Sequence, residues 1–324
     1  MSTIDGLLMV YTVIYQAAIM YGAVVGLLAL GFRITHETSG YMNLGHSINL
    51  GVGMTVGFLT IQQLDLNPIF GLLPAFIITG AFNALIYLMF YHRMEKKNYS
   101  EALISLFGLV LVFLSEPILV VLEYVMRLNL VSDYWCGSVS EYSFSTPHFH
   151  YWVPKVWNLR GGFIEMTLVF IVFIAVSRWI YNDIRGSMAR ALAENPSLLE
   201  VSGVNTLRLK TVIWFIAGGL GGIAGQLSPY VLKGEMGRDV GLYFIPMIIG
   251  SIIAEEREPW LAGLAGLIIG GAHIVLLNWG QMWIGIWVGE YWNLLDTIFL
   301  VLVMFMKDRR ISWLSPRRPL SSQG

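Results

Sequence analysis

Asn43, His46, Ser47 and Asn49 bunch at the head of an apolar run, and no other set of side chains here is so well placed to hydrogen-bond a solute. Within lipid they could line a path, offering donors and acceptors to a passing amide or amino acid. They could equally satisfy backbone groups freed where a helix breaks, and pack between helices. Asp296 lies inside a later apolar run, and a charge at membrane depth is costly, so it is a further candidate for the path. Its other reading is a hydrated outer helix end, which is the favoured one for Glu116, just before Pro117. His273 and Asn278 read as packing or interface groups. His46 has no second ligand at useful spacing, and a single cysteine, Cys136, allows neither a disulfide within the chain nor a cysteine cluster, so no metal site is expected. No nucleophile–base pair or paired carboxylates stand out, so no catalytic residue is expected. The phosphate-cradling run Gly-x-x-x-x-Gly-Lys-Ser/Thr does not occur, so nucleotide is not bound in that way.

The elements that would position these groups are membrane helices. Of 324 residues, 56% are hydrophobic and only 13% charged, and the mean hydropathy is +0.65. Soluble domains carry about a quarter charged residues, so composition alone indicates a membrane protein. A net charge of −1 gives no reason to expect a nucleic-acid partner. The start of the chain lacks the basic opening of a cleavable signal peptide, and its first apolar run is long enough to span. Apolar runs near 7–31, 44–62, 69–91, 102–124, 162–181, 211–231, 240–254, 260–278 and 289–306 predict about nine spans, with eight or ten as alternatives. The chain then reads as one transmembrane domain, 1–324. Positive charge gathers in 92–97, in 185–210 and in the tail 307–324, all on one face if there are nine spans. The positive-inside rule makes that face cytoplasmic, with the N-terminus outside and the aromatic segment 125–161 lying extracellularly.

The polar stretch 185–210 is built as a delimited element. Asn195 can cap a helix, Pro196 suits its first position and Gly203 is placed to stop it. Leu198, Leu199 and Val201 on that short helix could dock onto another protein. Polar interruptions at Thr35–Ser47 and Gly234–Gly241 suggest two broken spans, the second followed by a seventh span that looks too short to cross alone. Each break is followed by a proline turn, at Pro68 and at Pro259, and then by a Gly-rich span, a weak repeat of inverted orientation. Gly218/Gly222, Gly221/Gly225 and Gly266/Gly270, at four-residue spacing, read as helix-packing faces. Arg178 reads as snorkelling to the cytoplasmic interface.

Arg190-Ala191-Leu192-Ala193-Glu194-Asn195-Pro196, then Gly203-Val204-Asn205-Thr206-Leu207-Arg208-Leu209-Lys210, then the glycine-rich Ile216–Gly225, resemble the membrane subunits of ABC importers of the branched-chain amino acid type. That family also includes urea and short-chain amide permeases. Tyr41-Met42-Asn43-Leu44-Gly45-His46 is similar to its asparagine-to-histidine signature after the first span. The family's second glycine signature is a compact Gly-Gly-x-Gly-Ser turn, whereas here Ile249-Gly250-Ser251 runs into a longer, charged stretch, Ile252–Pro259. That difference, and the long 125–161 segment, bear on substrate identity more than on transport class.

The resemblance implies an ATP-driven importer of branched-chain or other amino acids, or of a similar small polar solute. This chain would pair with a second, homologous permease subunit, two ATP-binding cassette ATPases and an extracytoplasmic solute-binding protein. No cofactor is expected in this chain; ATP and magnesium belong to the ATPases. The segment 187–203 would be the coupling helix, with Arg190, Glu194, Asn195, Pro196, Leu198, Leu199, Glu200, Gly203 and Asn205 at the ATPase. Glu194 and Glu200 could equally be solvated polar faces. A stand-alone gradient-driven transporter or channel is the competing class; its mark would be a set of buried ionisable residues.

Overall fold

Thr35 and Thr38 do not interrupt the first helix, because their hydroxyls turn back on their own backbone. Thr35 Oγ1 donates to the Phe32 carbonyl at 2.8 Å and Thr38 Oγ1 to the Ile34 carbonyl at 2.9 Å. In the computed structural model, which describes residues 3–60, 68–129, 163–228, 236–254, 258–291, 294 and 296–305, α1 therefore runs Thr3–Ser39. It stops at Gly40, which takes φ +80°, a conformation open to glycine. The expected interruption at Thr35–Ser47 thus shrinks to residues 40–43, before a single 3₁₀ turn, Leu44–Ser47, leads into α2, Ile48–Phe58.

The chain continues as α3 (Pro68–Ile86), a π-helical stretch (Tyr87–Tyr91), α4 (His92–Lys96), α5 (Glu101–Asn129), α6 (Phe163–Asn182), α7 (Ile184–Glu194), α8 (Pro196–Val201), α9 (Thr206–Leu227), α10 (Met236–Ile253) and α11 (Trp260–Trp283). A last apolar helix, α12, spans Asp296–Phe305. Among the described residues every regular element is helical. Five helices are long and apolar enough to cross a membrane: Ile14–Ser39, Phe70–Lys96, Glu101–Leu119, Thr206–Leu227 and Trp260–Trp283. A sixth arises if α6 and α7, bent by 67° at their junction, form one span. The chain is an all-α, multi-pass membrane protein. The second interruption also shrinks, since Met236–Gly241 lies within α10. Residues 130–161 of the segment expected to lie extracellularly, Cys136 among them, residues 234–235 and the tail beyond 305 fall outside the described residues, as does the Glu116 side chain.

Close backbone approach organises the bundle. Helix α9 lies between α2 and α3. A Cβ added at Gly53 on α2 would strike the Gly222 backbone, and one at Gly222 would strike Ala75 and Thr79 on α3. At Gly218 it would meet Asn83, and at Gly225 the Leu50 carbonyl. Helix α11 packs along α1 in the same way, Gly266 against Gly26 and Gly270 against Gly22. Gly222→Val should accordingly lower the detergent unfolding midpoint, by about 1–3 kcal/mol of overpacking or more. Gly271→Ala, whose new methyl meets nothing nearer than 3.5 Å, should leave it unchanged or raise it.

Candidate functional site

The break after α1 carries the polar set, and all of its members are buried. Asn49 Nδ2 donates to the His46 carbonyl at 2.9 Å and approaches His46 Nδ1 at 3.2 Å. An amide nitrogen is a donor, so Nδ1 of a neutral imidazole accepts and the ring proton sits on Nε2. That Nε2 lies against Gly31 of α1. Asn43 Oδ1 accepts from the Tyr91 hydroxyl at 3.0 Å. Among the described residues, His46 Nε2, Ser47 Oγ and Asn43 Nδ2 find no hydrogen-bond partner. An unmade hydrogen bond at a buried group costs about 1–3 kcal/mol, so this run of unmet polar atoms is a feature to explain.

Asp296 is not with them. It is buried on α12 and pairs with His273 of α11, Oδ1 to Nδ1 at 2.6 Å. The His273 ring stacks on Tyr21 of α1, which stacks in turn on Tyr243 of α10, with centroids 5.5 and 4.7 Å apart. Asp296 is thus neither a hydrated helix end nor a neighbour of Asn43, His46, Ser47 and Asn49, and His273 does more than fill space. Asn278 bonds its own helix, Nδ2 to the Ile274 carbonyl at 2.8 Å.

The α7–α8 element divides its residues between holding and presenting. Asn195 Oδ1 accepts from the Leu198 amide at 3.1 Å, capping α8 with Pro196 at its first position. Gly203, at φ +86°, ends the turn, and Asn205 Oδ1 caps α9 through the Arg208 amide at 2.9 Å. Leu199, only 9% exposed, packs with Leu192 and Ile213 and against Ile34 of α1. Arg190 also points inward, donating to the Tyr181 carbonyl at 2.7 Å and lying over that residue's ring. Glu200 accepts from the Thr206 hydroxyl. Leu198 and Val201 are instead 63% and 86% exposed, and Glu194 is exposed beside them. Of the three apolar residues expected to dock, Leu199 is occupied within the bundle.

One end of the bundle unites segments that are distant in sequence. Lys210 Nζ donates to Glu95 Oε2 at 3.1 Å, bringing the start of α9 to the end of α4. Arg178, near the end of α6, lies 5.0 Å over the Trp260 ring at the start of α11.

The chain matches the family described as branched-chain amino acid transport system / permease component over residues 14–304. It belongs to that family. A probable branched-chain amino acid transport permease protein LivH from Methanocaldococcus jannaschii is 24% identical over 315 residues, covering 95% of this chain and 96% of that protein. The high-affinity branched-chain amino acid transport system permease protein LivH of Escherichia coli K12 is 22% identical, covering 88% of this chain and 90% of that one. No solved structure matches the chain.

Sequence reasoning about this permease missed the His273–Asp296 pair and the joining of Lys210 to Glu95. Polar residues in two consecutive apolar runs were the available signal for the first. Removing one partner of a buried pair typically costs about 3–5 kcal/mol, whereas replacing both with apolar groups is often near neutral. His273→Leu should therefore destabilise the permease by roughly that amount in detergent melts. The double variant His273→Leu/Asp296→Leu should recover most of the loss.

Proposed function

We propose that this permease is a membrane subunit of an ATP-driven importer for branched-chain amino acids or a similar small polar solute. It works beside a second homologous permease subunit, two ATP-binding cassette ATPases and an extracytoplasmic solute-binding protein, in the cell (inner or plasma) membrane. The solute-binding protein delivers the solute. The ATPases move α7–α8, and the membrane subunits alternate access to a path at their shared interface.

One observation carries this reading: α8 is fixed to its own bundle by the Asn195 cap and by Leu199, yet turns Leu198 and Val201 outward. A capped helix seated on packed side chains transmits displacement, where a loose loop would absorb it. Family membership and the relatives' descriptions support the amino-acid substrate. The topology assigned to this function has nine crossing segments (α1, α2, α3, α5, α6, α9, α10, α11 and α12), the shorter ones not crossing as straight apolar rods, and a weak inverted repeat. With the N-terminus outside, α4, α7–α8 and the tail share the cytoplasmic face. The Glu95–Lys210 ion pair supports putting α4 and the start of α9 at one end. Asn43, His46 and Ser47 are assigned to the path on their unmet polar atoms, and Asn49 with them because it holds His46.

A second reading, a gradient-driven transporter working alone, draws on the buried His273–Asp296 pair, since ionisable groups at membrane depth suit ion coupling. Leucine uptake by the lone chain in liposomes, without any ATPase, would favour it. For the importer, Glu194→Arg with Leu198→Asp and Val201→Asp should leave the permease folded. ATPase co-purification should fall at least about tenfold, a loss of only about 1.4 kcal/mol of docking free energy. Undiminished co-purification and uptake would overturn the assignment of α8.

A further inference from the structure

Three segments of this permease converge on the Glu95 carboxylate. Its Oε1 accepts from the Tyr41 hydroxyl at 2.8 Å, and its Oε2 from the Tyr87 hydroxyl at 3.2 Å and from Lys210 Nζ at 3.1 Å. The carboxylate is partly buried, with the side chain 19% exposed. Charge-assisted bonds are about twice as strong as neutral ones, and partial burial limits their screening. Burial, and then the Glu95 carboxylate itself, push the Tyr41 phenol above its ordinary value, so it remains a donor.

Each partner of Glu95 belongs to a part with a different task. Lys210 sits in the first turns of α9, directly after the Asn205 cap that starts α9 and the Glu200–Thr206 contact that ties α9 to α8. Tyr41 sits in the break after α1, stacked on Tyr91 at 5.8 Å with the planes within 3°. Tyr91 in turn holds Asn43, the first residue of the polar set. Trp214, one helical turn beyond Lys210, packs on Tyr87 and Tyr91 at 4.9 and 4.7 Å and donates Nε1–H to Ser39 Oγ at 3.2 Å. Tyr87 and Tyr91 bound the π-helical stretch, a local irregularity of the kind found where helices serve function.

We propose that Glu95 is a positioning residue that links displacement of α8–α9 to the break at Gly40–Asn43, so that movement of the coupling element opens or closes access to Asn43, His46 and Ser47. This rests on the ATP-driven reading above. The Lys210 ammonium pulls on the carboxylate, the carboxylate holds Tyr41, and the Tyr41–Tyr91 stack holds Asn43. The rest of the route from α9 to the break runs through the neutral Trp214–Ser39 hydrogen bond and through aromatic and apolar contacts, which slide more readily than a fixed ion pair.

The test uses the permease purified with its co-expressed partner subunits and reconstituted in phospholipid vesicles, with leucine as the transported probe and ATP hydrolysis measured in parallel. Lys210→Met and Glu95→Gln should keep the ATPase bound and hydrolysing while leucine taken up per ATP falls at least about fivefold, the lower end of ordinary coupling between sites. Lys210→Arg should restore coupling, which a merely structural loss would not require. Tyr41→Phe, which removes a single hydroxyl and keeps the ring, should give an intermediate fall. If Lys210→Met or Glu95→Gln fails to fold, Tyr41→Phe and Tyr87→Phe carry the test in their place. Uptake per ATP within about twofold of the parent in the variants that fold overturns the role of Glu95 and leaves the importer reading standing. Uptake by the parent that needs no ATP overturns both.

Discussion

Backbone-to-backbone contact at glycine is the constraint on which the rest of this permease depends. In a bilayer the lipid tails are as apolar as leucine, so helices gain little by hiding apolar surface from their solvent. What holds α9 between α2 and α3 is van der Waals contact at a separation that only glycine permits, at Gly53, Gly218, Gly222 and Gly225. The same holds for α11 on α1 through Gly22, Gly26, Gly266 and Gly270. Close approach also brings short polar side chains within reach of a neighbouring backbone. Asn83 Nδ2 reaches the Trp214 carbonyl at 2.7 Å, and the Cβ of Asn49 packs at Gly221. Polar groups would otherwise be excluded from such an interior. Here they sit in it because the helices are near enough to offer them partners.

Cohesion changes in kind along the bundle axis. The lipid-facing body exposes large apolar side chains, such as Phe113, Leu168, Ile268 and Val301. The end that carries α4, α7–α8 and the start of α9 is joined by directional contacts: the Glu95 ion pair, the Tyr41–Tyr91–Trp214 aromatic cluster and the two asparagine caps. Directional bonds fix orientation where apolar packing fixes only distance. A helix as short as α8 has little intrinsic stability, since nucleation is unfavourable and few residues repay it. Its persistence rests on the Asn195 cap and on the cluster of Leu192, Leu199 and Ile213.

Membrane class and family could be read from the sequence because each is carried by many residues at once: 56% apolar composition, the glycine-rich run of α9 and the Asn195-Pro196 punctuation of α8. What could not be read depended on a single side chain choosing between two directions. Thr35 and Thr38 look like a polar interruption in one dimension, yet a helix absorbs them by back-bonding. Leu198, Leu199 and Val201 are alike in type, and only the position of α1 and α9 decides that Leu199 turns inward. Arg190 reads as a docking charge until the Tyr181 carbonyl and ring are found beneath it. Asp296 and His273 are 23 residues apart, on helices whose mutual placement no periodicity encodes. The long apolar runs also overstate regularity: α2 is an eleven-residue helix, a length at which hydropathy alone no longer marks a crossing segment.

The unmet polar atoms at Asn43, His46 and Ser47 follow from where the chain breaks. A continuous α1–α2 helix would bond its own backbone and leave its side chains free to face other neighbours. The turn at Gly40 instead forces residues 41–47 into the bundle interior, with Tyr41 stacked under Tyr91 and His46 pressed on Gly31. Only part of their hydrogen-bonding capacity is met there: Asn49 takes His46 Nδ1 and Tyr91 takes Asn43 Oδ1, leaving Nε2, Nδ2 and the Ser47 hydroxyl. Residues held this way are costly for stability alone, since apolar side chains would pack the same volume without that penalty. Their cost is intelligible if the break spends part of its cycle open to a polar solute, and polar levers reach its Ser39, Tyr41 and Asn43 from Trp214, Glu95 and Tyr91.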